Sequence, residues 1–131
     1  MILIVDSGST KTDWIALDNN GNELFSTQTL GLNPQMLSNE ILNERIKNNF
    51  DIYKNRKVVE KLFFYGAGCG VESTQNRILK VFRSIFSKSE FDIKEDTYAA
   101  VFSAVDEGKP SIVNIIAVSY THLTLPTKDG G

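Results

Sequence analysis

The sequence predicts a mixed α/β domain, and two observations carry that prediction. Three short apolar or alternating runs joined by turn-rich segments open the chain, over residues 2–5, 13–17 and 23–29. Beyond residue 31, amphipathic helical patterns alternate with short apolar strands, so the coarse order reads βββαβαβαβ, without repeats or a low-complexity linker.

Residues 2–5, ILIV, form an uninterrupted apolar run, which suits a strand buried on both faces. Asp6 ends the run, SGSTKT follows as a turn rich in Gly, Ser and Thr, and residues 13–17 return to strand composition. Next comes DNNGN, in which Asn20-Gly21 suits the two positive-φ positions of a type I′ hairpin turn. Residues 13–17 and 23–29 are therefore expected to pair antiparallel, with Trp14, Ala16 and either Leu24 or Phe25 sharing a buried face.

Gly31-Leu32-Asn33-Pro34 breaks the third strand, with Asn33 placed as a helix N-cap and Pro34 as the first helical residue. Leu37, Ile41, Leu42, Ile46 and Phe50 then recur at helical spacing, predicting an amphipathic helix over 34–49. Residues 51–60 are polar and basic, and Lys54, Arg56, Lys57 and Lys61 read as a solvated face. A short apolar strand is expected over 61–65, followed by the glycine cluster Gly66-Ala67-Gly68-Cys69-Gly70. Such a cluster at the carboxyl end of a strand lies where open α/β sheets bind ligands, although glycines also serve simply to turn a chain. A second helix over 73–86 carries Ile78, Leu79, Phe82, Ile85 and Phe86 along one stripe. A short strand over 91–93 leads to Glu95-Asp96, a third helix over 97–107 stopped by Gly108, and a strand candidate over 111–116.

At 131 residues the chain has the length of one domain and can bury a core. With 41% hydrophobic and 23% charged residues it is expected to be soluble and globular. A formal net charge of −2 argues against a nucleic-acid or acidic-membrane partner, which would call for a basic patch. Cys69 is the only cysteine and cannot form an internal disulfide, and no basic leader or long apolar segment follows Met1. A cytoplasmic protein is therefore expected, neither secreted nor membrane-spanning.

The turn after the first strand carries the chemistry. Gly8 allows close backbone approach, and Ser9, Thr10 and Thr12 add hydroxyl donors without bulk, so several donors can converge on one phosphate. Asp6, emerging beside the turn, supplies the negative charge that holds Mg²⁺ through water. The pattern GxxxxGK[ST] is missing and no helix is expected next, which excludes a P-loop; an ordinary polar hairpin turn is the competing reading.

Asp6-Ser7-Gly8-Ser9-Thr10-Lys11-Thr12 resembles the DxGxTxT first phosphate motif of the actin, sugar kinase and heat-shock ATPase superfamily. That superfamily's N-terminal lobe is a ribonuclease H-like mixed sheet of order βββαβαβ, in agreement with the element order read from the residues. Within it, residues 1–116 look most like the BadF/BadG/BcrA/BcrD-type ATPases, the group that includes the N-acetylglucosamine kinases.

The resemblance implies ATP and Mg as cofactors, gripped by Asp6, Gly8, Ser9, Thr10 and Thr12. Lys11 lies in the same loop and helps neutralise phosphate, though the family pattern does not demand it. Gly31-Leu32-Asn33-Pro34 matches the family's sugar-binding segment, which makes Asn33 a sugar ligand in competition with its N-cap role. Gly66, Ala67 and Gly68 match the small-residue substrate loop. Asp96, followed by Thr97-Tyr98-Ala99-Ala100, matches the catalytic base, with helix N-capping again the alternative.

The likeness stops at Ile116. A second, glycine-rich phosphate motif should follow Asn114-Ile115-Ile116, and the chain reads AVSYTHLTLPT instead. That run looks like translated sequencing-adapter DNA, so residues 117–131 are expected to be a non-native or disordered tail and a second lobe is expected to complete the natural protein. His122, the only histidine, falls in this tail and receives no role.

The resemblance thus implies the N-terminal fragment of an ATP-dependent amino-sugar kinase, inactive alone, with a small-molecule sugar as substrate. Two alternatives stay open. One is an activator-type ATPase coupled to a partner enzyme, with Cys69 ligating an iron–sulfur cluster across a homodimer of the full-length protein. The other is a non-catalytic binding module.

Overall fold

The computed structural model of the chain describes residues 1–95. Their core is a five-stranded sheet of order β3-β2-β1-β4-β5. β1 (Ile2–Ser7) lies at the centre, antiparallel to β2 (Lys11–Leu17) and parallel to β4 (Lys61–Gly66). β3 (Glu23–Leu30) pairs antiparallel with β2, and β5 (Glu90–Glu95) runs parallel to β4. The helices are α1 (Asn39–Lys47), α2 (Phe50–Lys54) and α3 (Glu72–Ile85). This is the predicted mixed α/β sheet.

The period-2 geometry of strands explains which residues reach which side. Leu3 and Val5 share one face with their register partners Ala16 and Trp14 on β2 and Leu62 and Phe64 on β4, and the helices cover that face with Leu42, Ile52, Ile78 and Phe82. Ile4, Phe63 and Tyr65 on the opposite face are buried as well. The central parallel pair is thus buried on both sides, which accounts for the uninterrupted ILIV and LFFY runs. Phe25, not Leu24, pairs with Ala16 and packs on the core; Leu24 is exposed.

Two local expectations give way to hydrogen bonding. The 18–22 turn is not type I′, because only Gly21 has a positive φ, 87°. Asp18 and Asn22 close a three-residue loop, with Asp18 N–H donating to Asn22 O at 2.9 Å, and Asp18 Oδ1 accepts from the Asn20 and Asn22 N–H groups, both at 2.9 Å. These N–H groups, that of Asn22 foremost, hold the exposed Asp18 carboxyl below its ordinary value of 3.8. A carboxyl whose folded-state pKa is depressed stabilises the fold above its unfolded pKa, and that stability is lost as pH falls through the folded value. Asp18→Asn is accordingly expected to flatten the acid limb of the stability profile below about pH 4; an unchanged limb in urea titrations at pH 2.5–5 would contradict it.

The continuous helix expected over 34–49 is a turn followed by two helices. Asn33 Oδ1 accepts from Gln35 N–H at 2.8 Å, and Asn33 O accepts from the Met36 and Leu37 N–H groups at 3.1 Å, closing a turn. Arg77 of α3 takes the Pro34 and Leu37 carbonyls, which a continuing helix would have offered to residues 38 and 41. Ser38 instead caps α1 through Ile41 N–H, and Asn49 caps α2 through Ile52 N–H at 3.0 Å. Leu42 and Ile46 are buried, whereas Ile41 and Phe50 from the expected stripe face solvent. α3 follows its predicted stripe through Ile78, Phe82, Ile85 and Phe86, with Val81 buried where Leu79 was expected. The expected helix over 97–107, the strand over 111–116 and the tail over 117–131 lie outside the described residues.

Candidate functional site

Parallel pairing of β1, β4 and β5 puts their carboxyl ends on one edge, with Ser7, Gly66 and Glu95 in a single register row. Three connections meet there: the turn after β1, the segment from β3 toward α1, and the glycine loop after β4. Such an edge is where chain reversals leave backbone donors facing a ligand.

The turn after β1 is a tight hairpin. Gly8 N–H donates to Lys11 O at 2.9 Å, Ser9 and Thr10 form its tip, and Ser9, Thr10 and Lys11 are exposed. Neither tip residue has a positive φ. Gly8 is informative because the fold itself does not demand a glycine: its φ is not positive, and an added Cβ would meet only Lys11 O, at 3.6 Å.

Thr12 serves differently from the exposed hydroxyls. It is fully buried, with Oγ1 in a 2.9 Å hydrogen bond with Ser7 Oγ and donating to Leu30 O at 3.1 Å. Its hydroxyl braces the turn from below. Asp6 is half-buried on the sheet face opposite the helices, cross-strand from Asp13 and beside Tyr65. Asp13 Oδ1 accepts from Gln28 Nε2 at 2.7 Å, and Lys11 lies two residues before Asp13 on the same face. The edge therefore brings two carboxylates and a lysine beside the turn; Asp13 was not among the residues singled out by sequence.

The residues expected to hold a sugar, Asn33 and the glycine loop, also come together. Asn33 Oδ1 lies directly over the Cα of Gly68, which has φ +81°, so a side chain there would be both strained and blocked. The side chain of Asn33 thus caps its own turn and roofs the glycine loop at once. Ala67 N–H donates to Ser7 O at 2.9 Å, and Gly66 ends β4 in register with Ser7, which ties the loop to the turn after β1. Helix α3 holds both segments: Gln75 Nε2 donates to Cys69 O at 2.7 Å, while Arg77 donates to the Pro34 and Leu37 carbonyls and to Asn39 Oδ1. Neither Gln75 nor Arg77 was singled out by sequence; the Pro34 and Leu37 carbonyls that Arg77 meets lie 43 and 40 positions earlier, where only the fold brings them near, and Gln75 binds Cys69 six positions earlier. Asp96 lies outside the described residues; β5, which leads to it, ends at Glu95, whose Oε2 lies 2.6 Å from where a Cβ on Gly70 would sit.

No family model and no curated protein matches the chain. Among solved structures it is similar to a Porphyromonas gingivalis protein provisionally named an N-acetylglucosamine kinase, with a TM-score of 0.70 and 28% identity. The match covers 81% of this chain and 38% of that one. The fold is that of a kinase-like N-terminal lobe. The chain spans well under half the length of the protein it matches, and the lobe presents its exposed turn and glycine loop on one edge. Cys69 sits fully buried within the hydrophobic cluster of the lobe, away from its surface. Among the described residues, no helix is long and apolar enough to cross a membrane.

Proposed function

We propose that this chain forms the phosphate-gripping lobe of an ATP-dependent amino-sugar kinase of the N-acetylglucosamine kinase type. The observation that carries the proposal is the structural likeness to a protein so named, at 28% identity across 81% of this chain. The converging turn, Asn33 and glycine loop support it.

The residues suit the groups the reaction requires. Bound Mg·ATP supplies the transferable phosphoryl group and the cation that neutralises it. The exposed backbone and hydroxyls of Ser9 and Thr10 offer donors to phosphate oxygens, Gly8 leaves them room, and Lys11 adds a cation. Thr12 acts from beneath by holding Ser7 and Leu30, so the tip is preorganised before anything binds. Asp6 would hold that Mg²⁺ through water, supplying negative charge beside the phosphates. Asn33 and the loop Gly66, Ala67 and Gly68 orient the sugar, and Asp96 takes the proton from its hydroxyl as that oxygen becomes the nucleophile. The domain assignment that goes with this mechanism is a lobe over 1–116, a non-native tail over 117–131 and a second lobe in the natural protein.

Among the described residues, no observation on this edge favours the activator reading over the kinase reading, and Cys69 is buried within the hydrophobic cluster. The test is a coupled assay of ADP release by the full-length protein against a panel of hexoses and amino sugars. An amino-sugar-dependent rate at least about tenfold above the sugar-free rate is expected, because the hydroxyl oriented by this edge should outcompete water. Equal rates with and without every sugar would overturn the reading.

A further inference from the structure

The phosphate turn of this lobe does not stand alone; it rests against the chain leaving β3. Leu30 O accepts from Thr12 Oγ1 at 3.1 Å, Gly31 N–H donates to Thr10 O at 3.0 Å, and Leu32 N–H donates to Ser7 Oγ at 3.0 Å. Three successive residues are thereby stitched to both sides of the turn. On its outer side Gly31 O accepts from Arg45 Nη1 of α1 at 2.6 Å, so the Gly31 residue is clamped between the turn and a helix.

Gly31 is the tightest point of this contact. A Cβ there would lie 2.5 Å from Ser9 O, 2.8 Å from Ser9 C and 3.0 Å from Gly8 O. All three are backbone atoms of the turn, so no side chain can swing aside to make room. Gly8 gives the opposite result, since its Cβ would meet ordinary space. The two glycines therefore do different work: Gly8 leaves room for a ligand, while the room at Gly31 is already filled by the turn. Asn33 follows two residues later with its oxygen over Gly68, so the same short segment joins the phosphate side of the edge to the sugar side.

We propose that Gly31 is the positioning residue of the phosphate turn, its bare Cα forming the seat against which the Ser9 peptide rests. A methyl group at that seat displaces Ser9 and Thr10 from the places where their donors meet phosphate. Losing even one hydrogen bond to a charged phosphate oxygen costs on the order of tenfold in binding. The proposal rests on the reading of this edge as an ATP site.

The test compares the full-length protein with Gly31→Ala and Arg45→Gln, by calorimetric titration with Mg·ATP and by steady-state kinetics. Gly31→Ala is expected to raise the Kd and KM for Mg·ATP at least about tenfold while kcat at saturating nucleotide stays within about threefold. Arg45→Gln, which loosens the clamp without adding bulk, is expected to raise them roughly threefold in the same pattern. If Gly31→Ala does not fold, Arg45→Gln alone decides. Folded variants whose Kd stays within twofold of the parent overturn the proposal, as does a loss confined to kcat or to thermal stability. A parent that binds Mg·ATP but shows no sugar-dependent turnover overturns the kinase reading instead, and the Kd ratios still judge Gly31. A parent that does not bind Mg·ATP overturns both.

Discussion

Asp96→Asn in the full-length protein is expected to lower sugar-dependent ATP turnover by about 10²–10⁴-fold, the usual contribution of a positioned general base. The substitution separates the two roles open to Asp96. Asparagine caps a helix about as well as aspartate, so a residue that only capped would tolerate the change. It cannot accept a proton at pH 7, so a base would not. Thermal stability should therefore hold while turnover collapses, and KM for the sugar should change much less than kcat. Glu95→Gln is the local control: that carboxylate sits one residue away, at the end of β5 and beside Gly70, and its loss should cost less than tenfold. Unchanged turnover in Asp96→Asn would remove the base assignment.

Phe82→Ala is expected to destabilise the lobe by about 3–5 kcal/mol. Phe82 is fully buried on α3, with its ring 5.1 Å from that of Phe64 on β4, 5.9 Å from that of Phe91 on β5 and 6.2 Å from that of Phe86. Removing it leaves a cavity at the place where helix and sheet meet, and also removes edge and stacking contacts. Against a total of about 5–15 kcal/mol, that loss is a large share of the stability, and a fall in Tm of roughly 10 °C or more should follow. The site would loosen with it, because α3 also carries Gln75 and Arg77, which hold the glycine loop and the Asn33 turn. Phe50→Ala is the instructive contrast. Phe50 was expected on a buried stripe but is 73% exposed under Lys54, and its truncation should cost well under 1 kcal/mol. Equal costs for the two, read from urea unfolding, would show that α3 is not the lobe's anchor.

Local chemistry was enough for much of this molecule. A short uninterrupted apolar run suits a strand buried on both faces, so ILIV announced β1 and the apolar stretch over 61–65 announced β4; their parallel pairing at the sheet's centre is the work of the fold. Amphipathic spacing announced α3, and the composition of SGSTKT announced an exposed polar turn beside Asp6. The convergence of Asn33 with Gly68 was suggested by resemblance rather than by any local signal, and the fold brings the two into contact.

Other features depended on partners distant in sequence. The helix expected over 34–49 fails because Arg77, some forty residues later, takes the carbonyls that would have continued it. Thr12 is buried because Leu30 and Ser7 claim its hydroxyl, and Gly31 must be bare because the turn around Ser9 packs onto it. Propensity and periodicity report what a segment gains from its own neighbours and from burial in general. Hydrogen bonds and close contacts between segments about 18 to 43 residues apart exist only once the sheet has brought those segments together, and at this edge they decided which polar groups remain exposed and which are held inside.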